Sequence, residues 1–315
     1  MENYTSHLRD FERQFPDSDT LINHLVKVRE AIGVFNPERP ECDFYYVPTQ
    51  KAWRCRKTKY RQTLKKGNFM EGSKMPIYIW FKMLYLVSQA KLDISALTLQ
   101  KLLGIKTYET ALYMYLRIKE FIADEVEKYY AKGLFETCRG AEAPCEMKEK
   151  TSDGKYLERN ILLLSQKKAN PEFPTTKVMM LLLEPQANNL VSGKNPEQLQ
   201  PSKRFKKVLR NRHLAFEPVY SAAEKFKPNV DWIRNAYFNV KVVLEGVHKR
   251  VSVWYAQLYL MERTFKHIHR NNQNIFETLV NRAMRPRVAL SSIIRDLENE
   301  SSLSKPPNPP SSNIP

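Results

Sequence analysis

The side chains best suited to chemistry lie in one short basic segment. Residues 51–66 contain eight Lys and Arg side chains and no Asp or Glu, with Trp53 and Tyr60 interleaved. Clustered cations neutralise phosphates and gain affinity from counterion release, and aromatic rings can stack on bases. The segment therefore predicts nucleic-acid contact; the alternative is a solvated basic hairpin whose aromatic side chains belong to the core. The predicted contact residues are Lys51, Arg54, Arg56, Lys57, Lys59, Arg61, Lys65 and Lys66.

Composition agrees with a polyanion partner. The 315 residues carry a net charge of +17, and 42% are hydrophobic, which predicts two or three compact modules rather than a disordered chain. The sequence has no long apolar run and no secretory signal at its start, which predicts neither a membrane partner nor secretion. Four cysteines in so long a chain predict no disulfide framework. The expected location is the cytoplasm, with nucleoid association in a bacterium or a nuclear location in a eukaryote.

Local patterns predict the elements that position the basic segment. Residues 5–31 have helical apolar spacing, and Asp17, Ser18 or Asp19 can cap the start of that helix. Alternation around Tyr46 and Trp53 predicts two short strands joined at Pro48-Thr49-Gln50.

A predicted helix-turn-helix follows the strands. Helical patterns cover about 76–90, 95–103 and 107–123, and a tight Gly104-Ile105-Lys106 turn joins the last two. In such a motif the second helix enters the major groove with its N-terminal residues at base edges. The residues expected at base edges are Lys106, Thr107, Tyr108 and Glu109, with Tyr113 and Arg117 placed to reach phosphates.

The second half of the chain has a different pattern. Apolar runs at 161–164 and 178–183 predict buried strands, with polar loops between them. Helices are predicted over 231–245, 252–270 and 273–284. The final residues are rich in Pro and Ser and predict a disordered tail.

A family resemblance spans most of the chain. Residues 11–122 closely resemble the N-terminal region of insertion-sequence transposases that combine a zinc ribbon, a helix-turn-helix and a ribonuclease-H-like (DDE-type) catalytic domain; eukaryotic Merlin elements are distant relatives. The matching stretches are FERQFPD, KVREAIGV, Trp53-Arg54-Cys55, SKMPIYIWFKMLYLVSQAKLDISALTLQKLLG and TYETALYMYLRIKEF. Weaker matches are GLFET, the helix around Asn239 and Lys241, and YLMERTFKHIHRNNQNIFETL.

The resemblance implies a fold class and a domain order. The expected class is α+β or α/β, with an N-terminal helical, ribbon-like and helix-turn-helix region followed by a degenerate ribonuclease-H-like domain. The expected domains are an N-terminal helix (1–35), a degenerate zinc-ribbon-like basic module (36–68), a helix-turn-helix region (69–128), a degenerate ribonuclease-H-like transposase domain (129–285) and a C-terminal extension with the disordered tail (286–315).

The ribbon positions depart from the family. Its two Cys-x-x-Cys pairs fall on Asn36 and Arg39 and on Cys55 and Thr58, so one ligand is retained and Cys42 lies off the pattern. One or two thiolates cannot close a structural zinc site, so we expect no zinc. The alternative is a partial site built from Cys42, Cys55 and a distant His. Packing of Phe44, Tyr45, Tyr46 and Trp53 is expected to replace the metal.

The catalytic positions depart further. In the family, three residues hold two metal ions; the resemblance places them at Ala131, near Glu217 and near Arg234, while a family lysine is retained as Lys241. The only aspartates between residues 131 and 250 are Asp153, in a turn pattern, and Asp231, at a helix start. The pattern therefore predicts loss of the metal-binding carboxylates.

The resulting hypothesis is a transposase-family protein that binds double-stranded DNA, has little or no strand-transfer activity and needs no cofactor. One alternative is an active enzyme whose site was rebuilt from glutamates and uses Mg²⁺. Another is a structural or RNA-binding partner in a larger assembly. RNA binding and a homodimer both stay open at this point.

Overall fold

A computed structural model describes residues 2–34, 41–89, 93–131, 137–166, 178–182, 215–216, 220–221, 238–272 and 274–285. Within these ranges the protein is a mixed α+β structure with two small sheets. No described helix is long and apolar enough to cross a membrane. Several predicted positions lie outside the described residues: Asn36, Arg39, Glu217, Asp231, Arg234, the polar loops between the predicted strands and the tail at 286–315.

The N-terminal segment contains two helices where the apolar spacing predicted one. Helix α1 covers Glu2–Gln14 and helix α2 covers Ser18–Ile32. The single predicted helix over 5–31 is wrong because Pro16 lacks a backbone N–H and disfavours helical geometry in the residue before it. Asp17 caps α2 as predicted, since its carboxylate accepts a hydrogen bond from the Thr20 backbone N–H at 2.7 Å.

A three-stranded antiparallel sheet follows. Its strands are β1 (Phe44–Val47), β2 (Ala52–Cys55) and β3 (Arg61–Thr63), in that order across the sheet. A 3₁₀ turn at Pro48–Gln50 joins the first two strands, which confirms the predicted hairpin. Strand β3 was not predicted, because three residues are too few to show an alternating pattern.

Three helices continue the N-terminal region. They are α3 (Ile77–Ser88), α4 (Ala96–Leu103) and α5 (Tyr108–Ala131). Ser95 caps α4 by accepting a hydrogen bond from the Thr98 N–H at 3.1 Å, and Gly104 ends it with a positive φ of 62°. Both predicted signals are confirmed. Helix α5 extends past the predicted end at residue 123 because its apolar stripe continues to the buried Val126.

The second sheet is mixed. Its strands are β4 (Thr137–Lys150), β5 (Tyr156–Gln166), β6 (Val178–Leu182), β7 (Ala215–Phe216) and β8 (Tyr220–Ser221). Strands β4, β5 and β6 pair antiparallel, whereas β7 and β8 both pair parallel with β4. The predicted run at 161–164 is confirmed as part of β5, and the run predicted at 178–183 is confirmed as β6 up to Leu182, because residue 183 lies outside the described residues. Asp153 lies in the turn between β4 and β5 as expected.

The C-terminal helices join the two halves of the chain. A π-helix covers Val242–Val247, α6 covers Val253–Ile268 and α7 covers Ile275–Ala283. Helix α6 packs against both α5 and β6, while α7 packs against α2 and α3. The predicted helices over 252–270 and 273–284 are confirmed. The part of the helix predicted over 231–245 that the structure describes is one helical turn followed by the π-helix.

A buried ionic cluster lies where α5 meets α6. Lys119 and Glu262 are both buried and form an ion pair, and Lys266 Nζ lies 2.8 Å from the other carboxylate oxygen of Glu262. The Lys119 ammonium also lies 4.1 Å from the ring centroid of Tyr115 and 3.7 Å from that of Tyr259. Because buried charges are costly unless they are paired, packing of α5 on α6 has to bring Lys119 to Glu262.

Candidate nucleic-acid interface

One exposed row of side chains crosses the three-stranded sheet. The register places Tyr45 opposite Arg54, and Arg54 opposite Arg61. Directly paired residues point to the same face of a sheet. Tyr45, Arg54 and Arg61 are all exposed, while their neighbours Trp53 and Gln62 are buried on the opposite face. The sheet therefore presents one aromatic ring and two guanidinium groups side by side.

Gln50 holds both guanidinium groups of this row. Arg54 Nε donates a hydrogen bond to the Gln50 side-chain oxygen, and Arg61 donates one to the Gln50 backbone carbonyl, both at 2.9 Å. In the part of the chain that the structure describes, neither arginine forms an ion pair with an acidic side chain. Like charges directly opposite in a sheet repel each other, so this arrangement suits a bound polyanion.

The turn after β2 adds further cations. Arg56, Lys57 and Lys59 are all exposed between β2 and β3. Arg56 forms an exposed ion pair with Asp43 at 3.2 Å, and its guanidinium lies 5.1 Å from the Tyr45 ring centroid. Exposed pairs of this kind contribute little to stability, so Arg56 can exchange Asp43 for a phosphate at small cost.

Lys51 lies at the other end of the hairpin. It adopts a left-handed conformation, with φ of 46°, at the end of the 3₁₀ turn. Its ammonium pairs with Asp19 on α2 at 2.5 Å. The pair links the hairpin to α2 and partly neutralises this predicted contact.

Other predicted contacts are occupied inside the protein. Lys65 donates hydrogen bonds to the backbone carbonyls of Ser73 at 2.8 Å and Met75 at 2.6 Å, and burial lowers its pKa. Lys66 is half-buried over the Tyr60 ring, 4.2 Å from its centroid. Both lysines therefore brace the loop after β3 and are less available to a ligand than the exposed cations.

Trp53 belongs to the core. Only 1% of it is exposed, and its indole N–H points toward Glu30 on α2 at 3.4 Å. Its ring packs against Tyr46, with centroids 5.2 Å apart. Part of the predicted aromatic packing is present, between Tyr46 and Trp53. Tyr45 instead is exposed, so the aromatic side chain available to a base is Tyr45 rather than Trp53.

The thiols that the sequence singled out lie together. Cys42 Sγ lies 3.6 Å from the Thr58 hydroxyl oxygen, and burial together with the neighbouring Cys55 thiol raises the pKa of Cys42. Burial opposes ionisation of Cys55, but hydrogen bonds from Cys42, Thr58 and Lys57 together lower its pKa to about 7. Among the described residues there is no cluster of three or more His, Cys, Asp or Glu side chains that could hold a metal ion. The absence of zinc stays a prediction.

A second group of predicted contacts lies at the start of α5. Lys106 and Thr107 are exposed, and the Thr107 hydroxyl accepts a hydrogen bond from the Thr110 N–H at 3.3 Å. Tyr108 is 41% exposed and Tyr113 is 49% exposed. Arg117, one turn further along, instead donates a hydrogen bond to the Phe69 carbonyl at 3.2 Å.

Of the residues tied to catalysis by resemblance, the structure describes Ala131 and Lys241, which lie on different elements. Ala131 is the last residue of α5 and does not lie on a strand. Lys241 lies beside the π-helix, with its ammonium 3.9 Å from Glu245. Glu245 also accepts a hydrogen bond from the Glu146 N–H on β4 at 3.0 Å. Two glutamates, Glu146 and Glu245, therefore meet at β4.

Basic side chains neutralise this pair of glutamates. Arg250 donates two hydrogen bonds to Glu146, at 2.8 and 2.6 Å, and lies 3.7 Å from the Tyr156 ring centroid. The adjacent Cys145 thiol donates to Glu245 at 3.6 Å, and burial together with that carboxylate raises its pKa to about 12. The sequence offered one signal, the alternation of apolar Cys145 and Met147 with polar Glu146, which is typical of a strand with one buried face.

No protein-family model, no curated protein and no solved structure matches the chain. The functional proposal is therefore based on the residues described above.

Proposed function

We propose that the protein binds double-stranded DNA through the exposed face of its three-stranded sheet. The observation that carries this proposal is the Arg54–Arg61 cross-strand pair, which lies beside Tyr45 and is held in place by Gln50 rather than by an acid. Two oriented guanidinium groups fit phosphate oxygens in a fork geometry. The net charge of +17 adds long-range attraction to a polyanion.

We further propose that α4 and α5 act as a helix-turn-helix in a transposase-family protein. Support comes from the short connection at Gly104 and from the exposed polar side chains at the start of α5. The positive end of a helix dipole also favours a nearby phosphate. Lys106, Thr107 and Tyr108 are the side chains proposed to meet base edges.

The middle of the chain is proposed to be a degenerate ribonuclease-H-like domain. Support comes from its mixed sheet, in which the antiparallel strands β4, β5 and β6 are joined by strands parallel to β4. Two-metal phosphoryl transfer needs carboxylates free to bind cations. Here Glu146 is bound by Arg250 and Glu245 lies beside Lys241, which supports a DNA-binding protein without strand transfer.

Replacing Arg54 and Arg61 together with Gln is expected to weaken DNA binding at least about tenfold, since a hydrogen bond to a charged group contributes about 1.5–3 kcal/mol. The log–log salt dependence of binding should become shallower by about two, because each lost phosphate contact removes about one from the slope. The measurement is fluorescence anisotropy with a labelled duplex at several salt concentrations.

The matched control is the Arg13→Gln, Arg270→Gln variant, which removes the same charge from two exposed positions elsewhere. It should change the slope far less. Equal slopes in the wild type and the Arg54→Gln, Arg61→Gln variant would reject the interface. Competition by single-stranded or double-stranded RNA that exceeds competition by DNA would favour the RNA-binding alternative.

An active enzyme with rebuilt glutamates is the second candidate, because Glu146 and Glu245 lie together on neighbouring elements. We expect no Mg²⁺-dependent or Mn²⁺-dependent nicking of supercoiled DNA, since both carboxylates lie against cations. The assay compares the wild type with Glu245→Gln. Nicking by the wild type that disappears in this variant would show that the glutamates are catalytic.

A further inference from the structure

We propose that Cys42 and Cys55 form a disulfide when the protein meets a hydroperoxide, so that this thiol pair is a covalent modification site. The pair lies beside the exposed cations of the β2–β3 turn. It is distinct from the DNA contact proposed above, and it uses the two thiols that a partial zinc site would need as ligands.

The backbone brings the two thiols together. In the β1–β2 register Phe44 lies opposite Cys55, so Cys42 comes two residues before the strand position that pairs with Cys55. The Arg56 N–H donates to the Asp43 carbonyl at 2.7 Å, which extends the contact between the two chain segments past the last strand pair. The two thiols are therefore held next to each other by backbone hydrogen bonds.

The side chains complete the arrangement. The Thr58 hydroxyl, three residues after Cys55 in the chain, lies 3.6 Å from Cys42 Sγ. Both thiols are free in this structure. Cys42 is partly exposed while Cys55 is buried, so a small oxidant reaches the pair from the Cys42 side. A disulfide would close a loop from residue 42 to residue 55 around the β1–β2 hairpin.

The chemistry balances with the peroxide as the oxidant. One thiolate attacks a peroxide oxygen, the O–O bond breaks, and the sulfur becomes a sulfenic acid as hydroxide leaves and takes up a proton to form water. The second sulfur then attacks the sulfenic sulfur, the S–O bond breaks, and a second water leaves. Two thiols and one hydrogen peroxide give one disulfide and two waters.

The test is peptide mapping of the full chain after reduction, removal of the reductant and titration with hydrogen peroxide. Digestion with trypsin without reductant should release the peptide that contains Cys42 joined by a disulfide to the Cys55-Arg56 dipeptide. The mass of this product should be two hydrogens below the summed masses of the two separate peptides. The Cys42→Ser variant should lose this product. Cys42 is partly exposed, so Ser should be tolerated there, and circular dichroism checks the fold.

The Cys145→Ser variant is the matched control, because that thiol is buried and donates to Glu245 rather than to a thiol. It should leave the joined peptide unchanged. Sulfinic or sulfonic acid at Cys42 and Cys55 without a joined peptide would overturn the proposal. One equivalent of bound zinc that blocks oxidation until a chelator removes it would also overturn it. The experiment measures only the masses of the peptides and contains no DNA, so its outcome does not depend on whether the protein binds DNA.

Discussion

Replacing Glu262 with Gln is expected to lower the free energy of unfolding by about 3–5 kcal/mol, the usual cost of breaking a buried ion pair by removing one partner. The variant keeps the shape of the side chain but removes the charge that faces Lys119 and Lys266. Urea denaturation followed by circular dichroism measures the change.

The size of this effect follows from burial. Lys119 has no solvent exposure and Glu262 is 4% exposed, so water cannot replace a lost partner. Burial opposes ionisation of Glu262, yet Lys119 and Lys266 hold its pKa well below its usual range. Burial lowers the pKa of Lys119 to about 8 even with Glu262 beside it. Without the carboxylate, Lys119 would lose its acidic partner and face the ammonium of Lys266, which keeps Asp93 at 3.8 Å.

Two further variants separate charge from packing. Glu277→Gln removes a half-buried carboxylate that pairs with His24 near the surface, and it should cost no more than about 1 kcal/mol. The double variant Lys119→Met, Glu262→Met should be less destabilised than the sum of its single variants, with a coupling of about 0.5–3 kcal/mol. A cost below about 1 kcal/mol for Glu262→Gln would mean that the cluster is hydrated in solution.

Acidification from pH 6.5 to 4.5 is expected to lower the free energy of unfolding by up to about 1.4 kcal/mol per pH unit for one proton. His248 carries this effect. Burial, with help from Lys119, lowers its pKa to about 3 in the folded state. In the unfolded chain His248 binds a proton below its ordinary pKa near 6.5, whereas in the folded state it does not. Its neutral form therefore costs no stability above pH 6.5, and the free energy of unfolding decreases as the pH falls below that value.

Neighbouring groups modify the pH profile in known directions. Burial lowers the pKa of His269 to about 4, so this residue also decreases the free energy of unfolding as the pH falls. The depressed pKa of Glu262 adds further loss below its ordinary pKa. Asp93 acts in the opposite sense, because burial raises its pKa and the folded state then takes up a proton earlier than the unfolded chain.

The pH prediction is measured by urea denaturation at four or five pH values. His248→Phe keeps a ring against Tyr259, whose centroid lies 4.6 Å from that of His248, but cannot take up a proton. The free energy of unfolding of this variant should depend less steeply on pH than that of the wild type, by the slope that corresponds to uptake of about one proton on unfolding. Identical slopes for the two proteins would assign the acid sensitivity to other groups.

The sequence by itself determined the elements whose signals are local. Ser95 and Gly104 mark the two ends of α4, because a side-chain cap and a positive φ act within one turn of the helix. The strands at 161–164 and 178–182 follow from unbroken apolar runs. Pro48 places the hairpin turn. Pro16 was an equally local signal for a break between two helices, but the apolar spacing over residues 5–31 favoured a single helix.

Only the tertiary structure decided which of the basic and acidic side chains face a ligand and which face the protein. Arg54 and Arg61 became neighbours through the register of a strand too short to predict. Lys65 looked like its neighbours in the sequence, yet it faces backbone carbonyls inside the protein. The pairing of Lys119 with Glu262 joins residues 143 positions apart. Helical periodicity places each of them on an apolar face, but the packing of α5 on α6 selects the partner.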